Sequence, residues 1–250
     1  MSCSQHPKQN RLLIALPDAE YNRLLVNLEL IVLPLGEELY NNGCEQKYVY
    51  FPTNSIISLL NVLEDGSTAE IAVIGNEGVL GFSLYMGGET TTGRAVVQSS
   101  GFGYRIKAEH LKAEFSRGGP LLRLLLRYTQ TLITQMTQTA VCNRHHSIEQ
   151  QLCRWLLLSL DRLPSNSLWM TQDLISNMLG VRREGVTEAA GDLQKAGLIK
   201  YKRGQIEVLD RLGLEKSACE CYKVVKVEFD RLMNDILPGD PKNILGKSTE

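Results

Sequence analysis

Long apolar runs are missing from this sequence. No stretch approaches roughly 18 continuous apolar residues, so no membrane-spanning helix and no membrane partner are expected. The opening MSCSQHPKQN is polar and lacks the apolar centre of a secretory signal, which points to the cytoplasm. Cysteines are few and scattered: Cys3, Cys44, Cys142, Cys153, Cys219 and Cys221 make no secreted disulfide framework. An excess of one charge is also absent. The net charge is −1, so any surface for nucleic acid must be a local one. Catalytic patterns are missing too. The four histidines (His6, His110, His145, His146) lie outside the strand-rich stretch 31–106, and no H-E-x-x-H or phosphate-loop pattern occurs. An enzyme is not expected. What remains is an ordinary globular composition, 43% hydrophobic and 22% charged. With 250 residues the chain can form one large domain or two modest ones.

Three textures follow one another. Residues 11–30 recur at helical spacing through Tyr21, Leu24, Leu25 and Leu28, with Pro17 and Asp18 suited to a first turn. From 31 to 106, short Val/Ile/Leu/Tyr-rich runs alternate with turn signals, the rhythm of an antiparallel barrel or sandwich. ISLLNVLEDGSTAEIAVI reads as a hairpin turning at Asp65-Gly66. After the breaker Gly118-Gly119-Pro120 the pattern becomes helical. Leu122, Leu126, Thr129, Ile133, Met136, Ala140 and Asn143 then recur at alternating four and three, a heptad seam suited to pairing two chains. The alternative is a core helix packed on its own barrel. From 147 the chain is helical with one late hairpin. Ile148, Leu152, Trp155, Leu156 and Leu160 form an apolar stripe there. These textures divide the chain into a β-rich domain (11–118), a long helix (119–146), a helical domain (147–237) and a frayed tail (238–250).

Within 147–237 one constellation carries chemistry. Thr171 is placed to cap a helix from Gln172 to about Met178, and Gly180 suits the turn after it. A second helix follows from about Arg182 to Lys195 and stops at Gly197. Leu174, Ile175, Leu179, Val181, Val186, Ala190 and Leu193 supply the buried faces. The unit reads as a helix-turn-helix, and LIKYKRGQIEVLD reads as a hairpin wing behind it, turning at Arg203-Gly204. The second helix of such a unit enters the DNA major groove by its N-terminal residues, here Arg182, Arg183, Glu184 and Thr187. Arg grips guanine O6 and N7, and Glu accepts from cytosine N4. Adjacent Arg183 and Glu184 can also hold each other in place beforehand. Between 182 and 203, six basic residues face three acidic ones, a local +3.

The stretch MTQDLISNMLGVRREGVTEAAGDLQKAGLIKYKRGQIEVLD resembles the winged helix-turn-helix of the Crp/Fnr family of bacterial transcription regulators. The family's R-x-x-V-T-like pattern stands here as Arg183-Glu184-Gly185-Val186-Thr187. The β-rich half is similar to the family's cyclic-nucleotide-binding-type β-roll, and Leu121 to His145 to its long dimer helix. The resemblance implies an α+β fold: an antiparallel β-roll, a dimerisation helix and a C-terminal winged helix-turn-helix. It implies a homodimer on a two-fold symmetric double-stranded DNA operator, with RNA polymerase as a further partner where the protein activates. Arg183, Glu184 and Thr187 are expected at bases, and Thr171, Gln172, Arg182, Lys200, Lys202 and Arg203 near phosphates. Gly191, inside the second helix, costs about 1 kcal/mol relative to Ala and is expected to let that helix approach a neighbour closely.

Relatives that take cyclic AMP carry Gly-Glu-Leu and then Arg-Ser-Ala. The matching segments here put Phe82 after Gly81 in place of the glutamate, and Gly93 in place of the arginine, with Arg94 displaced by one. A one-residue slip turns a strand side chain to the other face. Cyclic AMP is therefore not expected. Gly81, Phe82 and Arg94 are the candidate positions for another small anionic or nucleotide effector. No cofactor or metal is expected either. Cys219-Glu-Cys221 lacks a second pair, and the neighbours His145 and His146, near Cys142, point in different directions. The rival reading is an interaction protein whose winged unit binds another protein.

Overall fold

The computed structural model describes residues 5–233; Cys3 and the tail 238–250 lie outside them. Among the described residues no helix is long and apolar enough to cross a membrane.

The first helical stretch is shorter than the spacing of its leucines suggests. Asn10, wholly buried, caps helix α1 (Arg11–Ile14) by accepting from the amides of Leu12 and Leu13. Its amide donates to the carbonyls of Pro52 and Gly78, both at 2.9 Å. Helix α2 (Asp18–Leu25) ends before 30, because β1 (Glu29–Leu33) takes those residues into a sheet. The strands β2 (Glu38–Tyr40), β3 (Tyr48–Pro52), β4 (Ile56–Val62) and β5 (Thr68–Ile74) follow. After the four-residue helix α3 (Phe82–Tyr85) come β6 (Arg94–Ser99) and β7 (Gly101–Lys107). They form two antiparallel sheets, ordered β1-β7-β3 and β2-β6-β4-β5. The expected hairpin joins β4 to β5, with Gly66 at φ 82° in its turn.

Strand β4 reads Ile-Ile-Ser-Leu-Leu without alternation because both its faces are covered. Ile57 and Leu59 point into the roll, whereas Ile56 and Leu60 belong to a second core shared with the C-terminal domain. A bulge beside Leu59 and Leu60 shifts the register against β5, so that Glu70 pairs with Leu60 and faces outward with it.

Helix α4 (Ala108–Ser116) leads to α5 (Pro120–His145), the long helix expected from the sequence. One face of α5 lies on the roll through Leu124, Leu125, Tyr128 and Leu132. Gln135 accepts from the Val73 amide and donates to its carbonyl, at 3.2 and 3.1 Å, closing the open edge of β5. The expected seam is largely on the outside: Leu126, Ile133, Ala140 and Asn143 are exposed, and Leu122 and Met136 half-buried. Thr129 is a correction. It is buried in its own chain, donating to the Leu125 carbonyl and meeting the Tyr85 hydroxyl at 3.0 Å.

Helix α6 (Ile148–Leu160) is buried along its whole length from Gln151 to Leu160, rather than along the single stripe expected. It lies between the outer face of the β4 sheet and the rest of its own domain, and the polar residues buried with it, Gln151, Arg154 and Ser159, each make a hydrogen bond. Then come β8 (Ser167–Trp169), α7 (Gln172–Leu179), α8 (Arg183–Lys195), β9 (Ile199–Lys202), β10 (Gln205–Val208), α9 (Arg211–Ser217) and α10 (Glu220–Met233). Strand β8 was not expected; it pairs with β10 and makes the wing three-stranded. Helix α10 returns along α5, where Arg127 donates to the Leu232 carbonyl.

Candidate nucleic-acid interface

Local sequence builds the helix-turn-helix as expected. The Thr171 hydroxyl accepts from the Leu174 amide at 3.3 Å and caps α7. Gly180 takes the left-handed conformation, φ 66° and ψ 35°, that ends it. The chain then extends through Arg182, the N-cap residue of α8. Ile175, Leu179, Val186, Ala190 and Leu193 are buried in the domain core, with Val181 partly so. Leu174 is a correction, being exposed at the surface.

Arg182, Arg183, Glu184 and Thr187 all emerge at the exposed start of α8. Arg183 does not lean on Glu184. Its guanidinium lies 3.3 Å from Asp173 in the first turn of α7, and both side chains stay mostly exposed. The Thr187 hydroxyl donates to Gln172 Oε1 at 2.9 Å, which ties the two helices together beside that pair. The wing hairpin turns on two left-handed residues, Arg203 at φ 52° and Gly204 at φ 80°, the requirement of a tight two-residue turn. Strand alternation puts Lys200 and Lys202 on one outer face, as expected. Register adds Trp169 to it, since Trp169 lies opposite Gln205 and Gln205 opposite Lys202. Trp169 is 65% exposed. The wing is held to the base of α7 by Tyr201, whose hydroxyl donates to the Met170 carbonyl at 2.9 Å. A hollow of about 350 Å³ between wing and α8 is lined by Thr171, Gln172, Asp173, Arg183, Tyr201 and Arg203. One surface thus gathers the exposed helix start and the basic wing.

The close approach expected at Gly191 lies elsewhere on α8. A Cβ on Gly191 would meet nothing within 4 Å, whereas one on Gly185 would lie 2.5 Å from Ile148 Cδ1. Gly185, not Gly191, is the place of close approach. Gly191→Ala is therefore expected to stabilise the protein by about 0.5–1 kcal/mol, read as a raised denaturant midpoint with an unchanged slope. A loss of stability would mean that α8 is crowded there.

In the roll, Ala95 is wholly buried inside. Its strand neighbour Arg94 therefore points to the outer face, as the one-residue slip implies. There it pairs with Glu38 at 3.0 Å. Gly81 is the left-handed residue before α3, and Phe82 packs against the roll core.

A second constellation was missed. The expectation of no metal rested on Cys219 and Cys221 lacking a second pair and on His145 and His146, beside Cys142, pointing in different directions. The structure brings Cys142 and His146 to them, with all four donor atoms within 4.8 Å of one another. The signal was in the sequence: Cys142 and His146 are four apart, and so share one side of a helix end.

Residues 150–217 match the Crp-like helix-turn-helix domain. No curated protein matches the chain. Among solved structures, a Crp/Fnr-family protein from Eubacterium rectale ATCC 33656 is similar at TM-score 0.65 and 19% identity, covering 84% of this chain and 98% of its own. FixK2 from Bradyrhizobium japonicum is similar at TM-score 0.64 and 18% identity, over 77% and 98%. The c-di-GMP-responsive global regulator CLP of Xanthomonas campestris is similar at TM-score 0.62 and 15% identity, over 78% and 100%. The chain thus carries a Crp-like helix-turn-helix domain at 150–217, and its fold as a whole is similar to that of these Crp/Fnr-type regulator structures.

Proposed function

We propose that the protein acts as a cytoplasmic homodimer reading a two-fold symmetric duplex site, and that its signal is not cyclic AMP. The observation that carries the reading is the exposed start of α8 beside the basic wing. In this reading Arg183, Glu184 and Thr187 meet base edges, while Thr171, Gln172, Arg182, Lys200, Lys202 and Arg203 meet phosphates.

Pairing through α5 is supported by its outer face. Leu126 and Ile133 are 50% and 52% exposed, seven residues apart, and Val224 and Val227 of the adjacent α10 are exposed as well. Several large apolar side chains exposed on two adjacent helices suit an interaction surface. The case against cyclic AMP rests on Phe82 in the glutamate position and on Arg94, which points out of the roll and is already paired.

The test is binding to a duplex selected from a random pool, followed across salt concentrations. Arg183→Ala should lose about 1–3 kcal/mol of discrimination at one base position per half-site. Lys202→Ala should weaken all sequences alike and lower the salt slope by about one. Equal behaviour of the two variants would overturn this sorting of contacts. Indifference to both DNA and salt would favour a winged domain that binds protein.

A further inference from the structure

Behind the helix-turn-helix, at the link between α5 and α6, three cysteines form a small buried cluster of their own, separate from both apolar cores. Cys142, Cys219 and Cys221 are each at most 5% exposed. Cys142 Sγ lies 3.5 Å from Cys219 Sγ, and Cys221 Sγ lies 3.6 Å from His146 Nδ1. With metal–sulfur bonds of 2.3 Å, tetrahedral geometry sets ligand atoms about 3.8 Å apart. Four donors within 4.8 Å of one another therefore need an inward shift of only about half an ångström each to surround one ion. A cluster of irons would hold its thiolates on separate metals, farther apart. Three soft sulfurs and one imidazole, with no oxygen donor, suit zinc rather than magnesium or calcium.

We propose that Cys142, His146, Cys219 and Cys221 form a closed, mononuclear zinc-type site. The surroundings are built for it. His146 Nε2 faces the Glu220 carboxylate at 3.4 Å. That outer partner fixes the tautomer and leaves Nδ1 free as the ligand. Three thiolates and a neutral imidazole around a divalent ion carry one net negative charge. The buried guanidinium of Arg154, anchored on Thr139 Oγ1 at 3.1 Å, lies close enough to act on Cys142 and Cys221. The ligands come from three places: Cys142 from the last turn of α5, His146 from its C-cap, and the other two from the start of α10. The ion would clasp the one link by which the long helix enters the C-terminal domain. With four protein ligands and no open position, its role is structural.

The experiment uses the full chain without DNA, so its result is independent of the DNA reading. Protein purified under reducing conditions should contain one zinc per chain by elemental mass spectrometry. Replacement by cobalt should give intense tetrahedral visible bands with thiolate-to-cobalt charge transfer. Cys142→Ser and Cys219→Ser should lose the metal, whereas Cys44→Ser and Cys153→Ala should keep it. Should the serine variants fail to fold, His146→Cys decides: it should retain the ion and shift the cobalt bands to those of four sulfurs. No zinc above background, a weak octahedral cobalt spectrum, a Cys142–Cys219 disulfide in place of the metal, or His146→Cys bands unchanged from the parent would each overturn the proposal.

Discussion

Arg162→Ala should cost the fold about 3–5 kcal/mol. Arg162 sits just beyond α6, and its Nε donates to Glu77 Oε1 at 2.7 Å, with both side chains about nine-tenths buried. Its Nη1 donates to the Leu158 carbonyl, and the Glu77 carboxylate also accepts from the Gly75 amide at 3.1 Å. The stem of Arg162 packs on Gly75, where an added Cβ would come within 2.6 Å of it. Removing the guanidinium leaves a carboxylate buried without its cation, and that stranded charge is the larger part of the cost. A double change, Arg162→Met with Glu77→Gln, strands no charge and should cost much less than Arg162→Met and Glu77→Gln measured singly and summed. Denaturant unfolding of the four proteins measures the coupling. If Arg162→Ala changed stability by under about 1 kcal/mol, the pair would be solvated as surface pairs are, and the roll and C-terminal domain would not be joined as described.

The second large effect is a dependence on pH at the same junction. Glu70 is buried, and its carboxyl meets the Trp155 indole N–H of α6 at 3.0 Å and the Ser58 hydroxyl. Burial is the main cause that pushes it up to about 7, against the lowering effects of Ser58, Arg154 and Trp155. Hydrogen-bond supply explains how the neutral form is accommodated. Protonated Glu70 can donate to Ser58, leaving Ser58 free to donate to Gln98 Oε1 at 2.9 Å, while the Gln98 amide reaches Ser159 of α6. Between the ordinary carboxylate range and about 7 the folded chain holds a proton that the unfolded chain releases. Stability from this group is therefore full at low pH, falls as pH rises through that window, and is flat above it. Glu70→Gln keeps a donor towards Ser58 and an acceptor for Trp155 and has no proton to lose. The stability of the variant relative to the parent should rise across the window, by about 3 kcal/mol at most. Parallel pH profiles for the two proteins would contradict a raised Glu70.

How much of this was legible depends on how local each cause is. The helix-turn-helix was, because Thr171, Gly180, Gly197 and the Arg203-Gly204 turn each act within a few residues. Strand β8 was not, because three residues cannot show a period and only pairing with β10 makes them a strand. The uniform burial of α6 and the unalternating β4 have one origin, two domains sharing a core across them, and neither sequence pattern names its partner. Thr129 fits the heptad by spacing but turns inward to Tyr85, because the roll occupies that side of α5. Gly185 and Gly191 look alike in sequence, and only the position of Ile148 separates them. The Cys/His cluster needed the fold to bring the start of α10 to the end of α5. Its local half, Cys142 and His146 at helical spacing, was readable but incomplete.

In the proposed dimer, two copies of the α8 start read one duplex. Hydroxyl-radical footprinting, paired with dimethyl sulfate methylation of guanine N7, on a selected duplex checks this. Two symmetric protected patches about 34 Å apart are expected, with one guanine N7 in each patch shielded from dimethyl sulfate by the parent protein and exposed again in Arg183→Ala. A single patch, or guanine N7 protection that Arg183→Ala leaves unchanged, would rule it out.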